Sequence, residues 1–347
     1  MTTTTANAAQ LDERVARQGR VRRLFGRPEL GAIVGAVVIF VFFSVIAPVF
    51  LQPTSIVTVL YGSSTIGIMA VGVSLLMIGG EFDLSAGVGV ISSSLTAALF
   101  TWYFSTNVWV GIFLALVFSL GVGALNGWIL VKTKLPSFIV TLATFLMLAG
   151  LNLAITRLVS GAVSSPSIAD IDGYAVAAAI FAADVPLFGI QVKITVFIWI
   201  ALVLVATYIL MRTRVGNWIF AVGGDENAAR AVGVPVTKTK IGLFMGVGFC
   251  AWIAGMHNLF AFNVVQSGEG VGNEFLFIIA AVIGGCLLTG GYGSAVGGAI
   301  GALIFGMANK GIVYAQWNPD WFKFFLGLML LLATIINLLV KRRAEQK

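Results

Sequence analysis

Runs of about 20 apolar residues, enough for a helix to cross the hydrocarbon core of a bilayer, recur along the chain with short polar breaks between them. The pattern predicts spans over residues 30–50, 56–78, 86–103, 109–131, 138–155, 194–211, 241–264, 275–288, 295–313 and 321–340, the eighth of them short for a crossing. Ten spans place both termini on one side, and the fold class is an all-α polytopic membrane protein. The first run is too long for a signal-peptide core and is closed by Pro48 and Gln52-Pro53, so it is expected to remain as a span. The longest connection, 157–193, carries an apolar patch at 175–183 that is too short to cross and suits a small helix on the membrane surface.

Three polar features interrupt this pattern. In Gly79-Gly80-Glu81-Phe82-Asp83-Leu84-Ser85 a glycine pair followed by Asp and Ser reads as a helix stop and a new N-cap. At membrane depth Glu81 and Asp83 would line a cavity or pathway; at the surface they would form a hydrated turn. An echo follows later: Ile283-Gly284-Gly285 with Leu288-Thr289-Gly290-Gly291 parallels Ile78-Gly79-Gly80 with Leu84-Ser85-x-Gly87. Glycines there permit close packing or broken helices. The third feature is a polar island at 222–235. Asp225 suits an N-cap, Glu226 the positive end of the helix dipole, and Gly233 a left-handed stop before Pro235. In the short helix so predicted, Ala228, Ala229 and Val232 share one face, small enough for another protein's groove, with Arg230 turned away. Such a helix is suited to docking, although a solvated loop with one helical turn fits the same pattern.

Composition narrows the class further. With 59% apolar and only 10% charged residues, and a mean hydropathy of +1.01, no soluble domain of useful size remains. If the N-terminus is cytoplasmic, so are Arg14, Arg17, Arg20, Arg22, Arg23, Arg27, Lys132, Lys134, Arg212, Arg214, Arg230, Lys238, Lys240, Lys341, Arg342, Arg343 and Lys347, which make 17 of the 21 basic residues. The net charge of +7 then follows from the positive-inside rule and does not call for a nucleic-acid partner. This parity gives a basic cytoplasmic extension at 1–28, a membrane domain at 29–343 with a cytoplasmic loop at 212–240, and a cytoplasmic tail at 344–347. It places Asp170, Asp172, Asp184, Glu269 and Asp320 outside. Cys250 and Cys286 lie in apolar runs and read as buried hydrophobes, and His257 stands alone as a packed or interfacial residue. No nucleophile and base pair and no metal set occur at plausible spacing, so an enzyme is not expected.

The ordered series Gly79-Gly80-Glu81-Phe82-Asp83-Leu84-Ser85-Ala86-Gly87, Thr141-Leu142-Ala143-Thr144, Ala221 through Val234, and Ala280-Ala281-Val282-Ile283-Gly284-Gly285 with Gly290-Gly291-Tyr292-Gly293-Ser294 resembles the permease subunits of ribose-type monosaccharide ABC importers, over about residues 30–343. The resemblance implies a bacterial inner-membrane protein that pairs with a second permease copy, most simply an identical one, within the lipid. It further implies an ATPase below and a periplasmic or lipid-anchored sugar-binding protein above. It makes Gly223, Gly224, Asp225, Glu226, Ala228, Ala229, Arg230, Val232 and Gly233 the segment that couples to the ATPase. The chain has no G-x-x-x-x-G-K-[ST] loop, so no cofactor is expected on it and ATP-Mg is left to the partner. The family's usual junction reads Gly-Gly-Ile-Asp-Leu-Ser; here Glu81-Phe82 stands in place of one apolar residue.

On this reading the cargo is a pentose or hexose, with a tail pattern at 311–322 similar to fructose-type members. Candidate lining groups are Glu81, Asp83, Ser85, Asn126, Thr141, Thr144, Asn152 and Asn309, with aromatic faces from Tyr61, Trp102 or Tyr103. Each polar residue serves equally well as interhelical glue, and each aromatic as part of an interfacial belt. Two alternatives stay open. One is a secondary transporter using Glu81 or Asp83 as a proton or cation site; the other is a permease of the related branched-chain amino-acid importers.

Overall fold

A computed structural model describes residues 29–187 and 189–345, with side chains through Ile335. The basic extension expected at 1–28 and the last two residues of the tail lie outside the described residues. Thirteen α-helices and one two-stranded hairpin are seen among them. In chain order these are α1 (Glu29–Ile46), a 3-10 turn (Pro48–Leu51), α2 (Pro53–Ile78), α3 (Ala86–Phe104), α4 (Val108–Thr133), α5 (Ser137–Ser160) and α6 (Tyr174–Phe181). After the hairpin β1 (Asp184–Leu187) and β2 (Ile190–Lys193) come α7 (Ile194–Arg212), α8 (Arg214–Gly224), α9 (Glu226–Ala231), α10 (Val236–Phe262), α11 (Asn273–Ile283), α12 (Ala295–Tyr314) and α13 (Trp321–Glu345).

Eight of these, α1 to α5, α7, α10 and α12, are long and apolar enough to cross a membrane. The chain is an all-α polytopic membrane protein. The run at 275–288 does not form the span expected of it. Gly284 and Gly285 (φ +97°) end α11, and eleven residues rise only about 16 Å, roughly half of a bilayer core. A non-helical stretch, 284–294, follows before α12. The last helix is apolar over Trp321–Ile335.

The helices sort by burial. The second half of α2, from Ser63 on, and α3 up to Thr101 are buried nearly all round, and α10 and α12 are buried along most of their length, whereas α1, α5 and α7 expose long apolar faces. Lipid tails are as apolar as Leu, so helix association relies on close packing, and the central helices are accordingly rich in Gly, Ala and Ser. The crossing of α4 and α10 illustrates this: a Cβ on Gly123 would overlap the Phe244 carbonyl. Many polar side chains inside the bundle bond to the preceding turn or to a neighbouring helix, although Ser93, Thr101 and Ser119 have no hydrogen-bond partner among the described residues. Ser94 Oγ donates to the Gly255 carbonyl at 2.8 Å, and Ser64 Oγ to Thr195 Oγ1 at 3.0 Å.

The connection at 157–193 is more ordered than the sequence implied. Its apolar patch forms α6, which seats Ala177 and Phe181 against the end of α10, with Phe181 stacked on Phe260. The hairpin that follows pairs Asp184 with Lys193 in register and by a 2.7 Å ion pair. His257 is buried between this region and α2. The Phe181 carbonyl can only accept, so Nδ1 of His257 donates to it at 2.8 Å and Nε2 accepts from the Tyr61 hydroxyl at 3.0 Å. The histidine is a packed one. Cys250 and Cys286 are buried and unpaired.

Gly123→Val should lower stability by about 1–3 kcal/mol through overpacking of the α4–α10 crossing. Gly121→Ala, where a Cβ meets nothing within 4 Å, should change it by no more than about 0.5 kcal/mol. Thermal unfolding in detergent checks both; equal midpoints for the two variants would contradict the packing argument.

Candidate functional site

Both glycine breaks are built alike. After α2, Gly80 (φ +84°) lets its N–H reach the Met77 carbonyl at 2.9 Å, and Glu81 N–H reaches Leu76 at 3.2 Å. After α11, Gly285 N–H reaches Val282 at 2.9 Å and Cys286 N–H reaches Ala281 at 3.0 Å. Each is the same paired C-terminal closure around a left-handed glycine, so the echo in the sequence is a structural repeat. The two copies also touch. Gly291 N–H donates to the Ile78 carbonyl at 2.8 Å, and both copies meet the end of α8 at Gly223. A Cβ on Gly223 would fall on the Ile78 carbonyl oxygen and within 2.7 Å of Gly291 N. Three backbones therefore cross where no side chain fits.

The segment 79–85 is no hydrated turn: Glu81, Asp83 and Ser85 are all buried. Its free backbone donors are taken up by the first turns of α5, Phe82 N–H by Ser137 Oγ and Leu84 N–H by Thr141 Oγ1, each at 3.1 Å. Asp83 Oδ1 then accepts from the Ser85 N–H at 2.8 Å and from the Ser85 hydroxyl at 2.5 Å, fixing the entry to α3. From Ser85 the chain of bonds runs on. Asn126 Nδ2 on α4 donates to Ser85 Oγ at 3.1 Å, and Thr144 Oγ1 on α5 donates to Asn126 Oδ1 at 2.6 Å. One network thus joins three helices. Asn152 sits further along α5, accepting from Ser92 of α3 at 2.9 Å. Asn309 is not part of this group; it lies on α12, half-buried, and no hydrogen bond links it to the others.

Beside Asp83 and Ser85 a small cavity between α3, α4, α5 and α10 reaches Ser119 and Gly248. It has room for about one water molecule. Asp83, Ser85, Asn126 and Thr144 bond to one another, and this cavity beside them is too small for a sugar.

Glu81 turns the other way. Its Oε1 lies 2.6 Å from Nζ of Lys240, in the first turns of α10, and both side chains are about nine-tenths buried. The same Nζ lies 2.6 Å from Glu226 Oε2 on α9, and the other Glu226 oxygen accepts from Arg230 at 2.8 Å. From the sequence alone Lys240 has only a topological role, as one of the cytoplasmic basic residues. Nothing local pointed to its partners, which come from two distant segments.

The island at 222–235 forms the capped helix that the residues imply. Asp225 Oδ1 accepts from the N–H groups of Asn227 at 2.9 Å and Ala228 at 3.0 Å, and Gly233 takes φ +85°. The helix α9 stands on α8, which the sequence did not reveal. The expected docking face needs correction. Ala229 is turned inward, buried against Val222 and Val236, while Ala228, Ala231 and Val232 are exposed, Val232 at 79%. A six-residue helix has one face to spare for its own protein, and the packing of α9 on α8 chose the one through Ala229. Gly224 is exposed.

The geometry is that of a multi-span transport permease: buried breaks at the ends of apolar helices, and a capped polar helix projecting from the bundle. The chain belongs to the family described as the branched-chain amino acid transport system / permease component, whose model matches residues 55–334. It is 30% identical over 314 residues to the ribose import permease of Escherichia coli strain K12, covering 89% of this chain and 93% of that one. The fructose import permease of Rhizobium meliloti is 28% identical over 299 residues, 85% of this chain and 81% of that one. The ribose import permease of Bacillus subtilis strain 168 is 27% identical over 313 residues, 89% of this chain and 92% of that one. No solved structure matches the chain. The protein is thus a transport permease subunit, a multi-pass protein of the bacterial inner membrane.

The hydrogen bond from Lys240 holds the Glu226 carboxyl below its ordinary value of 4.5, helped by the charges of Lys240 and Arg230 and opposed by partial burial. A carboxylate depressed in the folded state adds stability above its unfolded pKa and loses it as pH falls through the folded value. Glu226→Gln should therefore melt below wild type at pH 7, and the gap should close as pH drops below about 4.5. Melting curves across pH in detergent check this; a gap that does not change with pH would contradict it.

Proposed function

We propose that this chain is the membrane subunit of an ATP-driven importer for a monosaccharide, a pentose or hexose of the ribose or fructose kind, delivered by a separate sugar-binding protein. Two copies would form the pathway, and an ATPase partner would bind and hydrolyse ATP-Mg, for which this chain has no phosphate loop. Both termini, the basic segment 1–28, the loop 212–240 and the tail from 344 would be cytoplasmic, with α11 and α13 completing ten crossings together with their adjoining segments. The observation that carries the reading is α9: a short helix, capped by Asp225 and seated by Ala229, that presents Ala228 and Val232 outward.

Val232, exposed on a polar loop with no apolar neighbour covering it among the described residues, suits a groove on another protein. The stroke of an ATPase needs a stiff element to push, and α9 is held on its stem by an N-cap, a buried alanine and the Lys240 ion pairs. The docking face would be Asn227, Ala228, Ala231 and Val232, with Arg230 at its rim. Substrate would pass where α3, α4 and α5 line the pathway, after helix movement opens it. Asp83, Ser85, Asn126, Thr141, Thr144 and Asn152 would be the polar groups first exposed, and Asn309 would stand apart on α12.

An ion-coupled carrier would need a carboxylate free to exchange its ion. Glu81 is committed to Lys240, and Asp83 to Ser85. Proteoliposomes containing the chain with its ATPase and binding protein test the proposal with radiolabelled ribose and fructose. Uptake should require ATP, and Val232→Glu should reduce it about tenfold or more, as for a charge buried in an interface, with the fold intact. Uptake by this chain alone on a proton or sodium gradient, with Val232→Glu harmless, would overturn it.

A further inference from the structure

Glu81, Lys240 and Glu226 belong to three separate elements: the break after α2, the start of α10, and the docking helix α9. Lys240 touches both acids with the same ammonium group, at 2.6 Å each. The Glu81 end is about nine-tenths buried, whereas the Glu226 side chain is 40% exposed and also holds Arg230. The four formal charges sum to zero, so the bridge acts through contact more than through long-range charge. Its geometry is that of a strut: one end sits on the exposed helix, the other inside the bundle. Apart from chain continuity, α9 is held to the body by Ala229 against Val222 and Val236, and by this bridge.

On the inner side, Glu81 is two residues from Asp83, and Asp83 opens the hydrogen-bonded series through Ser85 and Asn126 to Thr144. A displacement of Glu81 therefore moves groups on α3, α4 and α5. A buried ion pair resists separation because each charge, once alone, is left without water or partner. We propose, resting on the docking role of α9, that Lys240 is the positioning residue that makes the docking helix and the helix break move as one, so that the push delivered to α9 reaches the polar network at Asp83.

The test uses the reconstituted transporter with its ATPase and binding protein, reading uptake of labelled ribose or fructose, ATP hydrolysed, and their ratio. Lys240→Met should still assemble with the ATPase, but sugar imported per ATP should fall about five- to tenfold, the scale of coupling between linked sites. Lys240→Arg should restore most of the ratio. The double variant Glu81→Gln, Lys240→Met should be no worse than Lys240→Met alone, since residues acting through one contact are not additive. An unchanged ratio in Lys240→Met, or losses that multiply in the double variant, would overturn the proposal. If Lys240→Met fails to fold, the double variant removes both buried charges, and Glu226→Gln breaks the strut at its exposed end. An unchanged ratio in those two is equally fatal. Val232→Glu separates the two readings. If it stops transport while the Lys240 variants do not affect the ratio, only the strut is wrong; if it is harmless, the docking role itself fails.

Discussion

Everything near the functional end of this protein depends on three strands of backbone crossing without side chains between them. The end of α8 at Gly223 lies against the Ile78 carbonyl at the end of α2, and against Gly290 and Gly291 after α11. Because Gly223 is followed at once by Gly224 and then by the Asp225 cap, the position of α9 is set by this crossing. A single methyl there would force the breaks apart and carry α9 with them. Glycine is used here for close approach, and the left-handed Gly80 and Gly290 supply the turns that bring the two breaks in. The sequence echo thus has a structural sense: two helices end in like breaks, and one helix stem touches both.

A bilayer allows irregular backbone only where protein or water satisfies it. The break at 79–85 meets that demand with hydroxyls from α5 and with the Asp83 carboxylate. This explains why the residues that look like a pathway in the sequence are bonded to one another in the structure. A polar group ready to meet a hydroxylated cargo is equally ready to meet a neighbouring helix, and in a closed conformation the neighbour wins. On the proposed reading, opening would exchange internal hydrogen bonds for bonds to water or sugar, which costs little when every partner is a neutral hydroxyl or amide. The two charged groups are treated differently. Asp83 is pinned by its own helix start, and Glu81 by Lys240, so neither charge has to be stripped of its partner for neutral groups to be uncovered.

Most of the helices were legible because a span of apolar residues bounded by Gly, Pro or charge has few other solutions in a membrane protein. Their ends moved where charge was read as a boundary: α10 begins at Val236, and Lys238 and Lys240 lie within it. The failures share a cause. Residues 284–288 lie in an apolar run that continues past Gly284-Gly285, so the run predicts a span to 288, although the echo of the first break marks that pair as a place where helices break. The helix α8 is short, amphipathic and adjacent to a long span, so it looked like loop. The hairpin at 184–193 carries the alternation of a strand pair, but Pro186 and its brevity hid it. The candidate site was half legible. Asp83, Ser85, Asn126, Thr141 and Thr144 come together as residues on facing helices should. The partner of Glu81 was not readable, because ion pairs between distant segments leave no local pattern, and the inward turn of Ala229 depends on α8, which had not been seen.

The arrangement also fixes which movements are cheap. Glycine crossings tie α10 closely to α3 and α4, whereas α5 is joined to α3 and α4 by exchangeable polar bonds, the Asp83 to Thr144 network and the Ser92–Asn152 bond. Between Gly80, Gly223 and Gly290 there are van der Waals contacts but no interlocking side chains. Contact of that kind favours sliding over separation, since dispersion is nearly preserved when smooth surfaces shift and lost when they part. The backbone bond from Gly291 to Ile78 is the exception among the described contacts there. On the proposed docking role, a push on α9 would act at the end of a stem whose foot rests on a backbone crossing without side chains, and whose charged strut reaches past that crossing to the helix break.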